Sequence, residues 1–149
     1  MVRSRLQPEA TDDRIHVCVV LEPEGERAYA LEAAMYSIGR DQTNSIVLND
    51  DAVSRQHAIF MRVPTEKGFS YRLMDGNKMG EPSTNGVQVN GQRCVAHDLK
   101  DGDELLFAGS VKALYYHRSM QDSNIQKLSL KSIPSQPIDQ ESTTYRGLD

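Results

Sequence analysis

Short runs of apolar and β-branched residues recur along most of the chain, about ten residues apart. They occupy residues 15–21, 28–31, 35–38, 46–48, 58–63, 69–74, 87–89, 104–107 and 111–116. Turn-forming stretches such as Asn49-Asp50-Asp51 and Asp101-Gly102-Asp103 separate the runs, and helical periodicity is almost absent. Many short strands with turns between them predict an all-β sandwich or barrel.

Two connections between these runs have the composition of tight hairpin turns. Asn90-Gly91 joins residues 87–89 to residues 93–95, and this dipeptide readily adopts the positive φ angles of a type I′ turn. Ala108-Gly109-Ser110 joins the last two runs with small residues. We therefore expect both pairs of strands to be antiparallel neighbours with a fixed register.

The two ends of the chain lack this pattern. Residues 1–13 have no periodic apolar positions, and from residue 119 onward Ser, Gln, Asp, Lys and Thr predominate, with Pro134 and Pro137. The 149 residues suit one domain, so we predict a flexible segment over 1–13, a domain over 14–118 and a flexible polar tail over 119–149. A weak apolar spacing leaves open that one short segment of the tail docks, at Ile125, Leu128, Leu130 and Ile133.

Composition excludes several functional classes. The net charge of −4 and the pI near 5.6 argue against nucleic-acid binding, which requires clustered Lys and Arg. Cys18 and Cys94 have neither metal-ligand nor redox spacing and fit small packed hydrophobes in a reducing compartment. No apolar stretch is long enough for a membrane span or a signal region. We expect a soluble cytoplasmic protein without metal or cofactor.

Three polar clusters between the predicted strands carry the chemistry of the chain. They are Gly39-Arg40, Ser54-Arg55-Gln56-His57 and Ser83-Thr84-Asn85-Gly86. Together they supply guanidinium, hydroxyl and amide groups, and the planar guanidinium fork matches the geometry of phosphate. None of the clusters supplies an acid–base or metal-binding pair. The composition of the clusters therefore predicts recognition of a phosphate on a peptide and not catalysis.

The order of these clusters, followed by Val89-Asn90-Gly91, resembles the forkhead-associated (FHA) domain of bacterial proteins over about residues 15–117. The resemblance implies an FHA-like β-sandwich of about eleven strands. It also implies that loops at one end of the sandwich bind phosphothreonine in a partner peptide.

The resemblance assigns roles to five residues of this chain. Arg40 and Ser54 would contact the phosphate, and Arg55 would help to hold the phosphate or the adjacent peptide. Thr84 would contact the phosphate or the threonine methyl group, and Asn85 would hydrogen-bond the peptide backbone. Three further matching positions shape the loops without needing to contact ligand: Gly39, His57 and Gly86.

The same residues allow other interpretations. Ser54 and His57 could suggest a hydrolase, but no carboxylate orienter or nucleophile-elbow glycines accompany them. The hydroxyls of Ser83-Thr84 could simply cap a turn. Two positions depart from the usual family pattern: the 76–82 loop is longer, and Gln88 replaces an aromatic or aliphatic residue, which indicates an exposed strand face.

The predicted function is a non-catalytic, phosphothreonine-dependent adaptor that docks on a Ser/Thr kinase or its substrates. The alternative is an assembly module with an FHA-like fold that ignores phosphorylation, although the presence of both Arg40 and Ser54 favours the first. Thr143 and Thr144 resemble acceptor sites in small bacterial FHA proteins, where a phosphorylated threonine folds back into its own domain. Composition favours an ordinary Ser/Thr-rich end there, and Thr11 is a weaker candidate of the same kind.

Overall fold

The computed structural model of the protein describes residues 13–133, in which twelve strands form two β-sheets packed face to face. The strands are β1 (Arg14–Glu22), β2 (Gly25–Leu31), β3 (Met35–Gly39), β4 (Ile46–Val47), β5 (Ala58–Thr65), β6 (Gly68–Asp75), β7 (Val87–Val89), β8 (Gln92–Cys94), β9 (Ala96–Asp98), β10 (Glu104–Phe107), β11 (Val111–Ser119) and β12 (Leu130–Ser132). One short helix, α1 (Ser123–Gln126), precedes β12. The predicted all-β sandwich is confirmed. Thr11, Thr143 and Thr144 lie outside the described residues.

The larger sheet has the strand order β12-β2-β1-β11-β10-β7-β8, and the smaller has the order β4-β3-β5-β6-β9. Most neighbouring strands are antiparallel, whereas β12 pairs with β2 and β4 with β3 in parallel. Strand β9 was absent from the predicted runs. Its three residues are largely polar, and it lies at the edge of the smaller sheet against β6.

Both predicted hairpins are confirmed by their backbone angles and pairing. Asn90 and Gly91 have φ values of 52° and 85°, which fit a type I′ turn between β7 and β8. Ala108 and Gly109 also have positive φ values, of 58° and 71°, in the turn between β10 and β11.

Strand β1 is buried on both faces. Cys18 and Val20 point into the main core between the sheets, where large rings such as those of Phe60 and Tyr115 are fully buried. Val17 and Val19 point outward into a second apolar cluster with Ile125 of α1. This double burial explains why β1 forms one of the longest apolar runs of the sequence.

Residues 119–133, the described part of the segment predicted to be a flexible tail, pack on the sandwich. Asp122 caps α1 by accepting hydrogen bonds from the backbone N–H groups of Asn124 and Ile125. Ile125 is 2% exposed against the outer face of the larger sheet. The segment then adds β12 to the edge of β2. The weak apolar spacing around Ile125 therefore marks a docked segment.

The sandwich has two ends, named here after a residue at each. The Arg40 end carries the 40–45, 48–57 and 76–86 loops, together with the β1–β2 and β10–β11 turns. The Arg14 end carries the start of β1, the β5–β6 and β9–β10 turns and the end of β11. Within residues 13–133, no helix is long and apolar enough to cross a membrane.

Candidate functional site

The three predicted polar clusters meet at the Arg40 end of the sandwich. The backbone N–H of Arg40 donates to the carbonyl of Ser54 (3.0 Å), and the N–H of His57 donates to the carbonyl of Ile38 (2.8 Å). The third cluster joins them because the N–H of Thr84 donates to the Ser54 hydroxyl oxygen (2.9 Å). Residues that are 44 positions apart in the sequence therefore line one rim.

Gly39 makes this approach of the loops possible. A Cβ atom at Gly39 would lie only 2.1 Å from the backbone carbonyl oxygen of Arg55. Any side chain at this position would push apart the first two clusters. The glycine that precedes Arg40 is thus required by close backbone contact.

Arg40 is exposed but held at its base. Its Nε donates to the carbonyl of Val53 (2.9 Å), and its side chain makes no other hydrogen bond with the described residues. The two Nη groups, which carry four of the five guanidinium donors, remain available to an anion. This planar pair of donor groups suits bidentate binding of an oxyanion such as phosphate.

Ser54 and Thr84 present hydroxyl groups beside Arg40. Because the Ser54 oxygen accepts the N–H of Thr84, its hydroxyl hydrogen is left to donate elsewhere. Ser54 is half-buried and the Thr84 side chain is exposed. Both hydroxyl groups therefore supply further donors at the same rim.

Arg55 and Asp41 set the local charge. The side chain of Arg55 is exposed and makes neither a hydrogen bond nor an ion pair with the described residues. Hydrogen bonds from the backbone N–H and hydroxyl of Thr43 lower the pKa of Asp41, and the positive charges of Arg55 and Arg40 lower it further. Two arginines thus lie near one ionised carboxylate at this point of the rim.

Asn85 is exposed next to these groups. Its side-chain Nδ2 donates to the carbonyl of Ala52 (2.8 Å), which fixes the orientation of the amide. The amide oxygen makes no hydrogen bond with the described residues, so it can accept one from a ligand backbone.

His57 is fully buried and joins the second cluster to the third. Its Nδ1 accepts the backbone N–H of Ser54 (2.9 Å), so its Nε2 carries the hydrogen and donates to the carbonyl of Gly86 (2.8 Å). Both ring nitrogens are therefore occupied by backbone groups. His57 is not placed to take a proton from the Ser54 hydroxyl, and the geometry does not support a hydrolase pair.

Two residues that position the loops were missed in the sequence. Asn44, 7% exposed, donates through Nδ2 to the carbonyls of Asp41 (2.9 Å) and Arg55 (2.7 Å). Asp75 accepts the hydroxyl of Ser83, whose oxygen in turn accepts the N–H of Gly86 (2.9 Å). Neither role could be predicted from the sequence, because Asn and Asp are common in turns. Which groups these two side chains bind depends on which parts of the chain the fold brings together.

The Asn77 side chain supplies several of the hydrogen bonds that hold the long 76–82 loop. The Oδ1 atom of Asn77 accepts the N–H groups of Met79 (2.9 Å) and Glu81 (3.0 Å), and its Nδ2 donates to the Glu81 carboxylate (2.7 Å). Met79 is 82% exposed at the tip of this loop. Among residues 13–133, no group of three or more His, Cys, Asp or Glu side chains could hold a metal ion.

Comparison with known proteins identifies the family. The family model described as "FHA domain" matches residues 36–108. The chain is similar to the Slr1951 protein from Synechocystis, which has a crystal structure. The sequence identity is 32%, the alignment covers 69% of this chain and 98% of that chain, and the TM-score is 0.65. EmbR of Mycobacterium tuberculosis, solved in complex with a low-affinity phosphopeptide, is 31% identical, with 69% and 25% covered and a TM-score of 0.55.

A third similar structure comes from work on phosphothreonine-dependent FHA domain interactions; it is 26% identical, with 68% of this chain and 95% of that chain covered and a TM-score of 0.57. The chain spans only 15% to 21% of the length of the first curated relatives it matches. The similarity to these curated relatives therefore covers only part of each of them. The order of the three clusters, the two sheets and these comparisons agree, and the chain belongs to the FHA domain family.

Proposed function

We propose that the chain is a non-catalytic module that binds phosphothreonine peptides at the Arg40 end. The observation that carries the proposal is the hydrogen bond from the Thr84 N–H to the Ser54 oxygen, beside the tethered guanidinium of Arg40. The Ser54 hydroxyl hydrogen and the Arg40 Nη groups are left without a partner among the described residues on one rim. Solved FHA structures that include a phosphopeptide support the ligand class.

Each residue has a role that its contacts allow. Arg40 binds two phosphate oxygens through its Nη groups, and Ser54 donates its hydroxyl hydrogen to the same phosphate. Thr84 and Arg55 complete the positive, donor-rich surroundings of the phosphate. Asn85 accepts a backbone N–H of the peptide through its amide oxygen. His57, Gly39 and Gly86 hold the loops, so no group performs acid–base chemistry.

The expected affinity follows from these contacts. Phosphothreonine carries about −1.5 to −2 charges at neutral pH. Hydrogen bonds to charged groups contribute about 1.5 to 3 kcal/mol each, so three or four give micromolar binding after the costs of association. The partner is a phosphothreonine-containing protein, which we infer to be a Ser/Thr kinase or one of its substrates in a cytoplasmic signalling pathway.

A peptide titration tests the proposal. Fluorescent peptides that contain threonine or phosphothreonine are titrated with the full chain and with Arg40→Ala, Ser54→Ala and Arg72→Ala. Arg72 is a matched control because its guanidinium pairs with Asp98 on the outer face of the smaller sheet. We expect binding only to phosphopeptides, a loss of more than about 100-fold for Arg40→Ala and no change for Arg72→Ala. Equal binding of both peptides would instead favour the phosphorylation-independent assembly module.

We further propose that phosphorylated Thr143 or Thr144 can occupy the same site within one molecule. Ser132, the last residue of β12, pairs with Ala30, and Thr143 follows eleven residues later. Eleven residues span up to about 36 to 40 Å. The site lies about 17 Å from Ser132 along the strands and about 24 Å across the sheet, so the length of chain suffices.

By the same estimate of chain length, a phosphorylated Thr11 cannot reach the Arg40 end of its own molecule. It precedes Arg14 by three residues, which span about 10 Å, whereas β1 separates Arg14 from the Arg40 end by about 27 Å. Stoichiometric phosphorylation of Thr143 or Thr144 should therefore reduce the hydrodynamic radius and block peptide binding in one molecule, and Arg40→Ala should abolish both effects. An unchanged radius and unchanged affinity would contradict the proposal.

A further inference from the structure

The Arg93 side chain is an unexplained cation at the Arg40 end. Arg93 lies on β8 opposite Gln88, on the outer face of the larger sheet, and its guanidinium reaches Gly86. A Cβ atom at Gly86 would lie 2.7 Å from both Cζ and Nη2 of Arg93. The guanidinium thus covers the backbone directly after Asn85, and only a glycine leaves space for it.

Arg93 and Arg55 differ from all other arginines in residues 13–133. Neither side chain makes a hydrogen bond or an ion pair with the described residues, and both are exposed. The others all have partners, including Arg14. The printed contacts are Arg27 with Glu22, Arg40 with Val53, Arg62 with Glu32, Arg72 with Asp98 and Arg118 with Asp101. The two unpaired guanidiniums therefore occur together at the Arg40 end.

The charge around Asn85 is asymmetric. Arg93 lies against Gly86, immediately after Asn85, whereas the loop that Asn85 contacts through Ala52 carries Asp50 and Asp51. An acidic side chain of a bound peptide would be attracted to Arg93 and repelled by Asp50 and Asp51. The Arg93 guanidinium lies against Gly86, whereas the Ser54 hydroxyl oxygen contacts the N–H of Thr84, so a bound peptide can meet Arg93 with a group other than its phosphate.

We propose that Arg93 is a specificity-determining residue that selects partner peptides with an Asp or Glu side chain near the phosphothreonine. The inference rests on the proposed function of the Arg40 end. A planar guanidinium binds a carboxylate in a bidentate geometry, and the position of the Arg93 guanidinium against Gly86 places it next to Asn85, the residue proposed to bind the peptide backbone.

The experiment measures the ratio of the affinity for an Asp-containing phosphopeptide to the affinity for the neutral phosphopeptide. Phosphothreonine peptides with otherwise neutral flanks receive one Asp at each flanking position in turn, and each is titrated with the full chain, Arg93→Gln and Lys67→Gln. Lys67 is the matched control, because it loses the same charge in the β5–β6 turn at the Arg14 end. The Asp peptide is expected to bind about fivefold more tightly than the neutral peptide at one position.

Arg93→Gln should reduce this ratio to about one, and Lys67→Gln should leave it unchanged. High salt should also reduce the ratio, because exposed charges are screened. Circular dichroism and thermal unfolding show whether the Arg93→Gln protein is folded, and Arg93→Lys, which keeps the charge, should retain part of the preference. A preference that survives in Arg93→Gln, or its absence at every position in the unmodified chain, overturns the inference. Failure of all phosphothreonine peptides to bind overturns the proposed function, and this inference with it.

Discussion

The candidate site and the Arg14 end of the sandwich use charge in different ways. Around the site, the side chains of His57 and Asn44 hold the loop backbones, and the guanidiniums of Arg55 and Arg93 remain unpaired with the described residues. An ion pair at the Arg40 end, Arg27 with Glu22, lies beside the β1–β2 turn. At the Arg14 end, charged groups bind one another, as Arg118 does with Asp101 (2.9 Å).

The difference shows how the same scaffold can supply both stability and binding. Charges that satisfy each other within the fold contribute to its structure but offer little to a ligand. Hydrogen bonds from uncharged side chains can fix the loops of the Arg40 end and leave its guanidiniums available to a ligand. An unpaired guanidinium beside hydroxyl and amide groups is therefore a better indication of a binding surface than the number of charges.

The two buried histidines test this comparison most strongly. His57 bonds two backbone groups at the Arg40 end, whereas His16 stacks on His117 (4.0 Å between ring centroids) and Phe69 (4.7 Å) at the Arg14 end. His57→Ala leaves buried polar groups unsatisfied, so it should cost about 4 kcal/mol of unfolding free energy, and His16→Ala about 3 kcal/mol.

Only the first substitution should affect binding, because only His57 holds the loops of the site. Urea unfolding measures both losses, and peptide titration under conditions where each variant is folded should show at least about tenfold weaker binding for His57→Ala alone. Equal loss of binding in the His16→Ala protein would show that the two ends are not independent.

The C-terminal segment should behave as part of the scaffold. Ile125→Ala removes the buried contact of α1 with Val17 and Val19, and we expect a loss of about 2 kcal/mol with unchanged peptide affinity. Gln126→Ala on the same helix is the control, because Gln126 is exposed and should change stability by less than about 0.5 kcal/mol. A similar, small effect of both substitutions would restore the original prediction of a flexible segment.

The alternation of apolar residues was sufficient to predict the sandwich, because most strands bury one face. It failed for β9, whose residues are half-exposed or exposed and whose pairing with β6 includes the Arg72–Asp98 ion pair. It also failed for α1, since a four-residue helix with one buried side chain has no detectable period.

The residues that could bind a ligand were visible in the sequence because several clusters had to occur in one order. The residues that position them were not visible. Asn44 and Asp75 stand in turns, where Asn and Asp are common for local reasons. Arg93 was overlooked because its importance comes from its contact with Gly86 and its lack of a partner, and both are properties of the fold.

The buried carboxylate of Asp103 tests whether an ionised group toward the Arg14 end stabilises the fold. Burial alone would raise the pKa of Asp103, but hydrogen bonds from Asn90, the Lys100 backbone and His97 hold its pKa below the ordinary value. Its ionised form therefore stabilises the fold above the unfolded pKa of about 3.9, and this contribution is lost as the pH falls through the lower folded pKa.

Asp103→Asn should thus reduce the unfolding free energy by about 1 kcal/mol at neutral pH, and the difference from the unmodified chain should shrink below about pH 4. Urea unfolding across this pH range measures the effect. Asp98→Asn serves as a control because the Arg72–Asp98 ion pair is exposed and should contribute little. A difference that is constant with pH would mean that ionisation of Asp103 is not the cause.

The smallest expected effect lies at the Arg40 end, where Asp41 is the ionised carboxylate beside Arg40 and Arg55. Asp41→Asn removes a negative charge that repels phosphate, so phosphopeptides should bind about two- to threefold more tightly at low salt and with little gain at high salt. Asp98→Asn makes the same change of net charge on β9, at the opposite edge of the smaller sheet from β4, and should have no effect on affinity. Weaker binding in the Asp41→Asn protein would mean that Asp41 acts by ordering the 41–44 turn through Thr43, and that unpaired charge alone does not set the affinity of this end.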